Sequence, residues 1–346
     1  MTGRLMDEIG VGLIGYGLGG RAFHAPYVAA TPGMSLRAVV SRDPAKVHAD
    51  VPAVRVLASA GALLAEPDID LVIVCSPDAL HAEHALAALQ AGKHVLIDKP
   101  FATTVADARR IAAEAEARGR LLTIFHNRRW DADFLTLRRL IAEGTLGRIV
   151  QVESRFDRWR PAVATTWKEA RQGGAWLDLG PHLVDQAVQL FGIPQGITAD
   201  IASLREGAPA ADYFHAVLRY PDLRVILHSS KLVAEHGVRF AVHGTSGSWT
   251  KRGMDPQEAA TLTGRMPGGD WGRDPVAGIF TDASGSSSAV ANERGDYRLF
   301  WTALAAAIRG RGPNPVPPSQ AITVMEILDA GLRSASQRCE IEPVGP

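Results

Sequence analysis

Residues 9–20 read Ile9-Gly10-Val11-Gly12-Leu13-Ile14-Gly15-Tyr16-Gly17-Leu18-Gly19-Gly20. The apolar run Ile9–Ile14 has strand character, and a helix-compatible stretch follows the glycines to Ala30. Gly15, Gly17 and Gly20 give G-x-G-x-x-G between them. The 34 glycines of the chain scatter such spacings by chance, so the reading rests on strand, glycines and helix occurring together. The first glycine permits a tight turn and the second lets the main chain approach a pyrophosphate. The third lets helix and strand pack closely, while the helix N-terminus faces the negative charge. Working outward, Leu36–Val40, Ile69–Cys75, Val95–Ile97 and Leu121–Phe125 are further apolar runs. Ala-rich helical segments, His81–Ala91 and Thr103–Arg118, lie among them. Continuous apolar strands alternating with helices predict βαβ units and a doubly wound parallel sheet.

The end of the second strand selects the dinucleotide. An NAD site places Asp or Glu there for the ribose 2′-hydroxyl, whereas a 2′-phosphate is repelled by a carboxylate. Here Val40 is followed by Ser41-Arg42-Asp43-Pro44. Ser41 can hydrogen-bond a phosphate and Arg42 can pair with it. Asp43 stands just before Pro44, the pattern of a helix N-cap with proline at the first helical position. NADP is therefore expected over NAD, with NAD kept open, as is Arg42 as a solvated surface residue.

The 346 residues suggest two domains, each large enough for its own core. Lys plus Arg and Asp plus Glu number 37 each, which argues against nucleic acid or an anionic membrane as partner. No apolar run approaches the roughly 20 residues of a membrane span. Met1 to Glu8 lacks the long apolar stretch of a secretory signal, so a soluble, cytoplasmic protein is expected. Cys75 and Cys339 are the only cysteines. His81-Ala82-Glu83 resembles a deaminase H-x-E, but no P-C-x-x-C follows, and no metal is expected.

Further along stand Cys75-Ser76-Pro77-Asp78 and His81, then Ala91-Gly92-Lys93-His94-Val95-Leu96-Ile97-Asp98-Lys99-Pro100. Later comes Gly173-Gly174-Ala175-Trp176-Leu177-Asp178-Leu179-Gly180-Pro181-His182. In this order the chain resembles the Gfo/Idh/MocA family of nicotinamide-dependent sugar and polyol oxidoreductases. That family carries a Gly-rich first turn, A-G-K-H-V running into E-K-P, and G-G-x-x-x-D-x-x-x-H. Asp98 replaces the usual Glu, which shortens the acidic arm beside Lys99. Phe125-His126-Asn127-Arg128-Arg129-Trp130-Asp131 and Phe156-Asp157-Arg158-Trp159-Arg160-Pro161 look closest to the NADP-dependent scyllo-inositol dehydrogenase branch.

The resemblance implies a Rossmann domain over 1–126 and, over 127–346, an α/β substrate and oligomerisation domain with a large open, mostly antiparallel sheet. It allows the last helix, about 319–337, to pack back on the first domain. A homodimer or homotetramer is implied in the same way. The residues fit independently: Val150–Phe156, Ile197–Leu204, Tyr213–Tyr220, Arg224–Lys231 and Val238–His243 are β-like, and Tyr220-Pro221-Asp222-Leu223-Arg224 is a hairpin turn. Met266–Asp296 reads as loops and short hairpins, and Tyr297–Arg309 and Ser319–Arg333 as closing helices.

Oxidising an alcohol with a nicotinamide needs a base for the hydroxyl proton and donors or positive charge at the developing alkoxide. Asp178 and His182 are four apart, which on a helix puts them on one face. Imidazole suits proton exchange near neutrality. Lys99 follows an apolar strand at the sheet edge where open α/β folds hold ligands. In the family-matched roles His182 is the general base, Asp178 binds substrate hydroxyls and favours the imidazolium, and Lys99 binds the reacting hydroxyl and touches the cofactor. Taken singly, each has a plainer reading: a satisfied helix histidine, a cap of a helix opened by Gly180-Pro181, a solvated strand-end lysine. Asn127 is expected at the nicotinamide ribose or the substrate, and Pro77 and His81 beside the cofactor, with His81 alternatively supporting the helix that it opens. Arg128 is expected on a polyol or in an interdomain ion pair. Asp157 is expected on a substrate hydroxyl, or paired with Arg155 or Arg158. A cofactor-binding regulator without catalysis and an NAD-dependent glycosidase are the rival functions.

Overall fold

The glycine-bearing strand Ile9–Ile14 (β1) is buried along its whole length because neighbours close on both sides of it. A Cβ on Gly10 would sit 1.8 Å from the Asp68 carbonyl oxygen, and one on Gly12 would sit 2.6 Å from the Leu63 side chain. The computed structural model describes residues 8–164, 169, 173–235 and 237–343. They divide into two units. The first holds the described residues up to Asn127 with Gln257–Trp271 and Asp296–Ile322; the second holds Arg128–Pro256, Gly272–Gly295 and the described residues from Thr323 on. A break at 126/127 stands as our proposal for the covalent domain boundary.

In the first unit, β1 is joined by Met34–Val40 (β2), Arg55–Leu57 (β3), Leu71–Val74 (β4), His94–Ile97 (β5) and Leu122–Ile124 (β6). They form a six-stranded parallel sheet in the order β3-β2-β1-β4-β5-β6. The strand order reverses between β1 and β4, which leaves a crevice beyond their carboxyl ends. The connecting helices are Ala25–Ala29 (α1), Pro44–Asp50 (α2), Ala60–Leu64 (α3), His81–Gln90 (α4) and Val105–Ala117 (α5). The doubly wound sheet expected from the apolar runs is thus present.

The helix-compatible stretch to Ala30 is helical, with a π-type turn over Gly20–His24 ahead of α1, in which the Ala25 N–H donates to the Gly20 carbonyl. Pro26 gives the reason. Its ring would strike the Ala22 carbonyl in a regular α-helix, and widening by one residue gives it room. Two later helices belong to this unit, Gln257–Leu262 (α8) and Arg298–Ile308 (α9). The buried Gln257 side chain accepts from Trp271 Nε1 at 3.0 Å and from the Tyr297 N–H at 2.8 Å. Tyr27 packs against both aromatic rings, at 6.1 and 6.0 Å.

The second unit contains Ala132–Ala142 (α6), Gly174–Phe191 (α7) and most of Pro318–Gln337 (α10). Its strands are Ile149–Arg155 (β7), Gly196–Ala202 (β8), Tyr213–Arg219 (β9), Arg224–Ser230 (β10), Val238–Gly244 (β11), Gly247–Arg252 (β12), Gly278–Asp282 (β13) and Ser287–Val290 (β14). They form an eight-stranded sheet, β14-β13-β12-β11-β7-β10-β9-β8, antiparallel at every pairing except the parallel β7–β10. The expected turn after Tyr220 joins β9 to β10, closed by the Tyr220 N–H on the Leu223 carbonyl at 3.0 Å. Strand β9 alternates buried and half-buried residues, and Phe214, Ala216 and Leu218 enter a core with Trp176 and Leu183 of α7 and Leu328 of α10. Trp176 is its centre: Nε1 donates to the Leu328 carbonyl at 2.9 Å, and its ring meets Phe214 at 5.0 Å. Removing so large a buried side chain typically costs about 3–5 kcal/mol. No helix among the described residues is long and apolar enough to cross a membrane.

Candidate functional site

The residues singled out in the first unit all come to one edge of its sheet, after the carboxyl ends of β1, β2, β4, β5 and β6. Gly15 turns the chain at φ +100°, where a Cβ would lie 2.5 Å from the Cys75 carbonyl oxygen. Gly17 is exposed, and a Cβ there would meet nothing within 4 Å, so the main chain is open to an approaching group. Gly20 packs its helix onto β1, since its Cβ would come within 2.4 Å of the Gly15 carbonyl oxygen. Turn and packing thus fall to Gly15 and Gly20. Gly15→Ala is expected to destabilise the protein by about 1–3 kcal/mol, through the positive φ and the clash together. A denaturant midpoint equal to wild type would contradict that assignment.

At the end of β2, the Lys46 N–H donates to Asp43 Oδ1 at 3.0 Å, and Pro44 occupies the first turn of α2. Asp43 is therefore the N-cap, the plainer of its two readings. Ser41 Oγ accepts the Asp43 N–H at 3.1 Å, which shapes the turn. Arg42 is exposed. A link not foreseen from sequence ties this corner to the glycine loop: Asp50, at the end of α2, accepts from Arg21 Nε at 2.8 Å and Tyr16 Oη at 3.3 Å. Burial, then the Asp50 charge, pushes the Tyr16 hydroxyl up to about 12.

Beyond β4, Pro77 is exposed but His81 is buried. His81 Nδ1 lies 2.8 Å from the Pro100 carbonyl oxygen and Nε2 lies 2.9 Å from that of Ser76. With both ring nitrogens engaged by main chain, the geometry favours the alternative reading of His81, a bracing role at the opening of α4. Lys99 leaves β5 half-buried, its N–H donating to Asp98 Oδ1 at 2.8 Å. Burial acts to raise the Asp98 carboxyl. The nearby His24 ring, its Nε2 3.6 Å away, then the charges of Lys99 and His81, outweigh it and hold the group well below the usual carboxylate range. Asn127 is buried in the turn after β6.

In the second unit, Gly173 and Gly174 take positive φ values of 73° and 50°, and α7 starts there. A Cβ on Gly174 would lie 2.0 Å from the Ala211 carbonyl oxygen, which accepts the Ala175 N–H at 2.7 Å. Pro181 lies inside the helix, so the alternative of a helix opened at Gly180-Pro181 and capped by Asp178 does not hold. Pro181 lacks an N–H, which releases the Leu177 carbonyl from its helical bond. Asp178 and His182 lie one turn apart on one face of α7, the first half-buried and the second 7% exposed.

Arg128 pairs with Asp131 at 3.2 Å, lies 4.8 Å over the Phe156 ring, and lends its carbonyl to Gln186 Nε2 of α7 at 2.8 Å. One ion-pair partner thus lies within its own turn. Asp157, 8% exposed, accepts the Ser230 N–H at 2.9 Å and faces Arg155 at 3.9 Å. The pairing expected with Arg155 is therefore seen, while Arg158 donates to the Asp157 carbonyl at 3.3 Å and stacks on Phe156 at 4.5 Å. Sequence reasoning missed Arg239, which is buried and joins Ser154 at 2.7 Å, Gln186 at 2.7 Å and Asp133 at 3.2 Å. It also missed the buried pair Arg129–Asp185, 2.6 Å apart. A signal existed: Asp178, His182 and Asp185 fall at i, i+4 and i+7 in a helix whose other residues are mostly apolar.

A parallel sheet with a glycine crevice, followed by a mixed-sheet α/β unit, defines a class of nicotinamide-linked redox proteins. Residues 9–126 match the oxidoreductase-family NAD-binding Rossmann fold, and residues 138–342 match the family's C-terminal alpha/beta domain. The chain belongs to the Gfo/Idh/MocA oxidoreductase family. It is 48% identical to the uncharacterized oxidoreductase YdgJ of Escherichia coli over 345 residues, covering 97% of this chain and 99% of that one. It is 36% identical to the scyllo-inositol 2-dehydrogenase (NADP⁺) IolW of Bacillus subtilis over 343 residues, covering 97% and 96%. The solved structure of the Yersinia pestis oxidoreductase YPO2259 superimposes with a TM-score of 0.95 at 46% identity, over 99% of both chains.

Proposed function

We propose that this protein is an NADP-dependent oxidoreductase that moves a hydride between the nicotinamide and a secondary alcohol or ketone of a cyclic polyol or sugar, scyllo-inositol being the reference. The observation that carries the proposal is the full-length relationship to the IolW dehydrogenase. The residues fit the cofactor: Gly17 leaves the main chain open for a pyrophosphate, and the one acid beside the end of β2, Asp43, is committed to capping α2. Arg42 is then the cation for the 2′-phosphate, with Ser41 setting the turn that presents it. Pro77 and Asn127 border the cofactor in this reading.

When bound, the nicotinamide accepts or supplies the hydride at its ring carbon. The chain's own residues handle the proton. In oxidation His182 takes the hydroxyl proton, and in reduction it returns it. Asp178 holds neighbouring hydroxyls and favours the imidazolium. Lys99 donates to the reacting oxygen and stabilises negative charge as it develops. Arg128 and Asp157 position further hydroxyls. A cytoplasmic homodimer or homotetramer completes the proposal; the sheet face opposite the helices carries Val217 and Ile226, which are paired neighbours there.

The test is a spectrophotometric screen of inositols, aldoses and their keto forms with NADP(H) and NAD(H). Net NADPH formation from a free polyol supports the proposal. No turnover with any of them favours the regulatory reading, and turnover of a glycoside without net NADPH favours the glycosidase. Arg42→Ala is expected to raise the KM for NADP by roughly 10–100-fold, the worth of a charge-assisted phosphate contact, with little effect on NAD. Equal effects on the two cofactors would remove the 2′-phosphate assignment.

A further inference from the structure

We infer that two buried histidines, His24 and His81, are positioning residues for Lys99, holding the turn Asp98-Lys99-Pro100 from its two sides. The consequence for turnover rests on the role proposed for Lys99 above. On the leading side, Asp98 uses one oxygen for the Lys99 N–H at 2.8 Å. Its other oxygen faces Cys75 Sγ at 3.4 Å and His24 Nε2 at 3.6 Å. The His24 ring cannot drift from this place. It is fully buried, 4.6 Å from the Phe125 ring and 5.8 Å from that of Trp301. Gly19 completes the enclosure, since a Cβ there would come within 2.6 Å of Cys75 Sγ and 2.7 Å of Asp98 Oδ2. On the trailing side, His81 bridges the Pro100 and Ser76 carbonyls.

The peptide unit before Lys99 and the one after Pro100 are therefore both held, which anchors the main chain on either side of the lysine. Such partners favour the charged form of this half-buried carboxylate, and that charge also lies beside the lysine. The groups facing Asp98 are His24, Cys75, Lys99 and His81; Cys75 and Lys99 follow strand ends, whereas His24 and His81 come from helical segments.

The experiment compares full-length wild type with His24→Phe, which keeps the ring stacking and removes the nitrogens, and with Asp98→Asn and Asp98→Glu. Two readouts are taken: kcat and KM against pH, and acetic anhydride labelling of Lys99 relative to the exposed Lys46, by mass spectrometry with NADPH present and no substrate. His24→Phe and Asp98→Asn are expected to lower kcat at least tenfold, to move the pH profile, and to change the Lys99:Lys46 labelling ratio at least threefold. Asp98→Glu is expected to return both readouts to within threefold of wild type. Variants that melt earlier yet keep the wild-type kcat, pH profile and labelling ratio would overturn the inference. If wild type turns over no polyol or ketone, the functional reading fails separately, and the labelling ratio alone decides: a changed ratio upholds the positioning role and an unchanged one refutes it. Should His24→Phe fail to fold, Asp98→Asn and its Glu rescue carry the same decision.

Discussion

His182→Ala lowers kcat by about 10²–10⁴-fold, the usual contribution of a positioned acid–base group, while NADPH affinity stays within a few-fold of wild type. The expectation follows from where the residue stands. Gly173 and Gly174 start α7 in a conformation that only glycine tolerates against the Ala211 carbonyl, and this sets the phase of the helix. Asp178 and His182 then share a face by spacing alone. The second unit, not the glycine crevice, supplies this imidazole, so its loss should spare cofactor binding. Steady-state kinetics with the substrate found in the screen, alongside NADPH fluorescence titration, separates the two quantities. A variant that keeps its turnover would take His182 out of the mechanism.

Asp185→Ala is expected to destabilise the protein by about 3–5 kcal/mol, because it takes the paired carboxylate away from a buried guanidinium. Arg129 and Asp185 side chains are 8% and 2% exposed, and two hydrogen bonds of 2.9 and 2.6 Å join them. The carboxylate lies one helical turn from His182 on α7, so the same pair that supports the fold also pins the helix that carries the proposed base. Urea denaturation reads the stability, and the double replacement Arg129→Met with Asp185→Leu should recover much of the loss, since two apolar groups need no charge partner. A single-variant loss below about 1 kcal/mol would show that water reaches the arginine, at odds with its burial.

The parts legible in the sequence were those in which a local rule decides the outcome. Ile9–Ile14 and the glycines after it announce the sheet and its crevice, Asp43-Pro44 announces the cap of α2, and the spacing of Asp178 and His182 announces a common helix face. What stayed hidden depends on residues far apart in the chain. Arg55–Leu57 is too short and too charged to read as a strand, and exists through its pairing with β2. Gln257 gives no sign that it will accept from Trp271 and Tyr297. His81 matches a cofactor loop in sequence, yet its ring is satisfied by two carbonyls that come together only when β4 and β5 lie side by side. Arg239 sits in a β-strand, where a charged residue usually signals solvent, and only the fold shows that Asp133, Ser154 and Gln186 enclose it.

The central claim is hydride transfer from a polyol carbon to the nicotinamide, and isotope transfer tests it most directly. Purified protein is given NADP⁺ and a polyol deuterated at its ring carbons, and the reduced cofactor is examined by mass spectrometry and NMR. The account predicts one deuterium on the nicotinamide ring carbon that accepts the hydride, accumulating in step with ketone. Ketone formed without deuterium on the cofactor, or no reaction with any polyol or sugar offered, would contradict it.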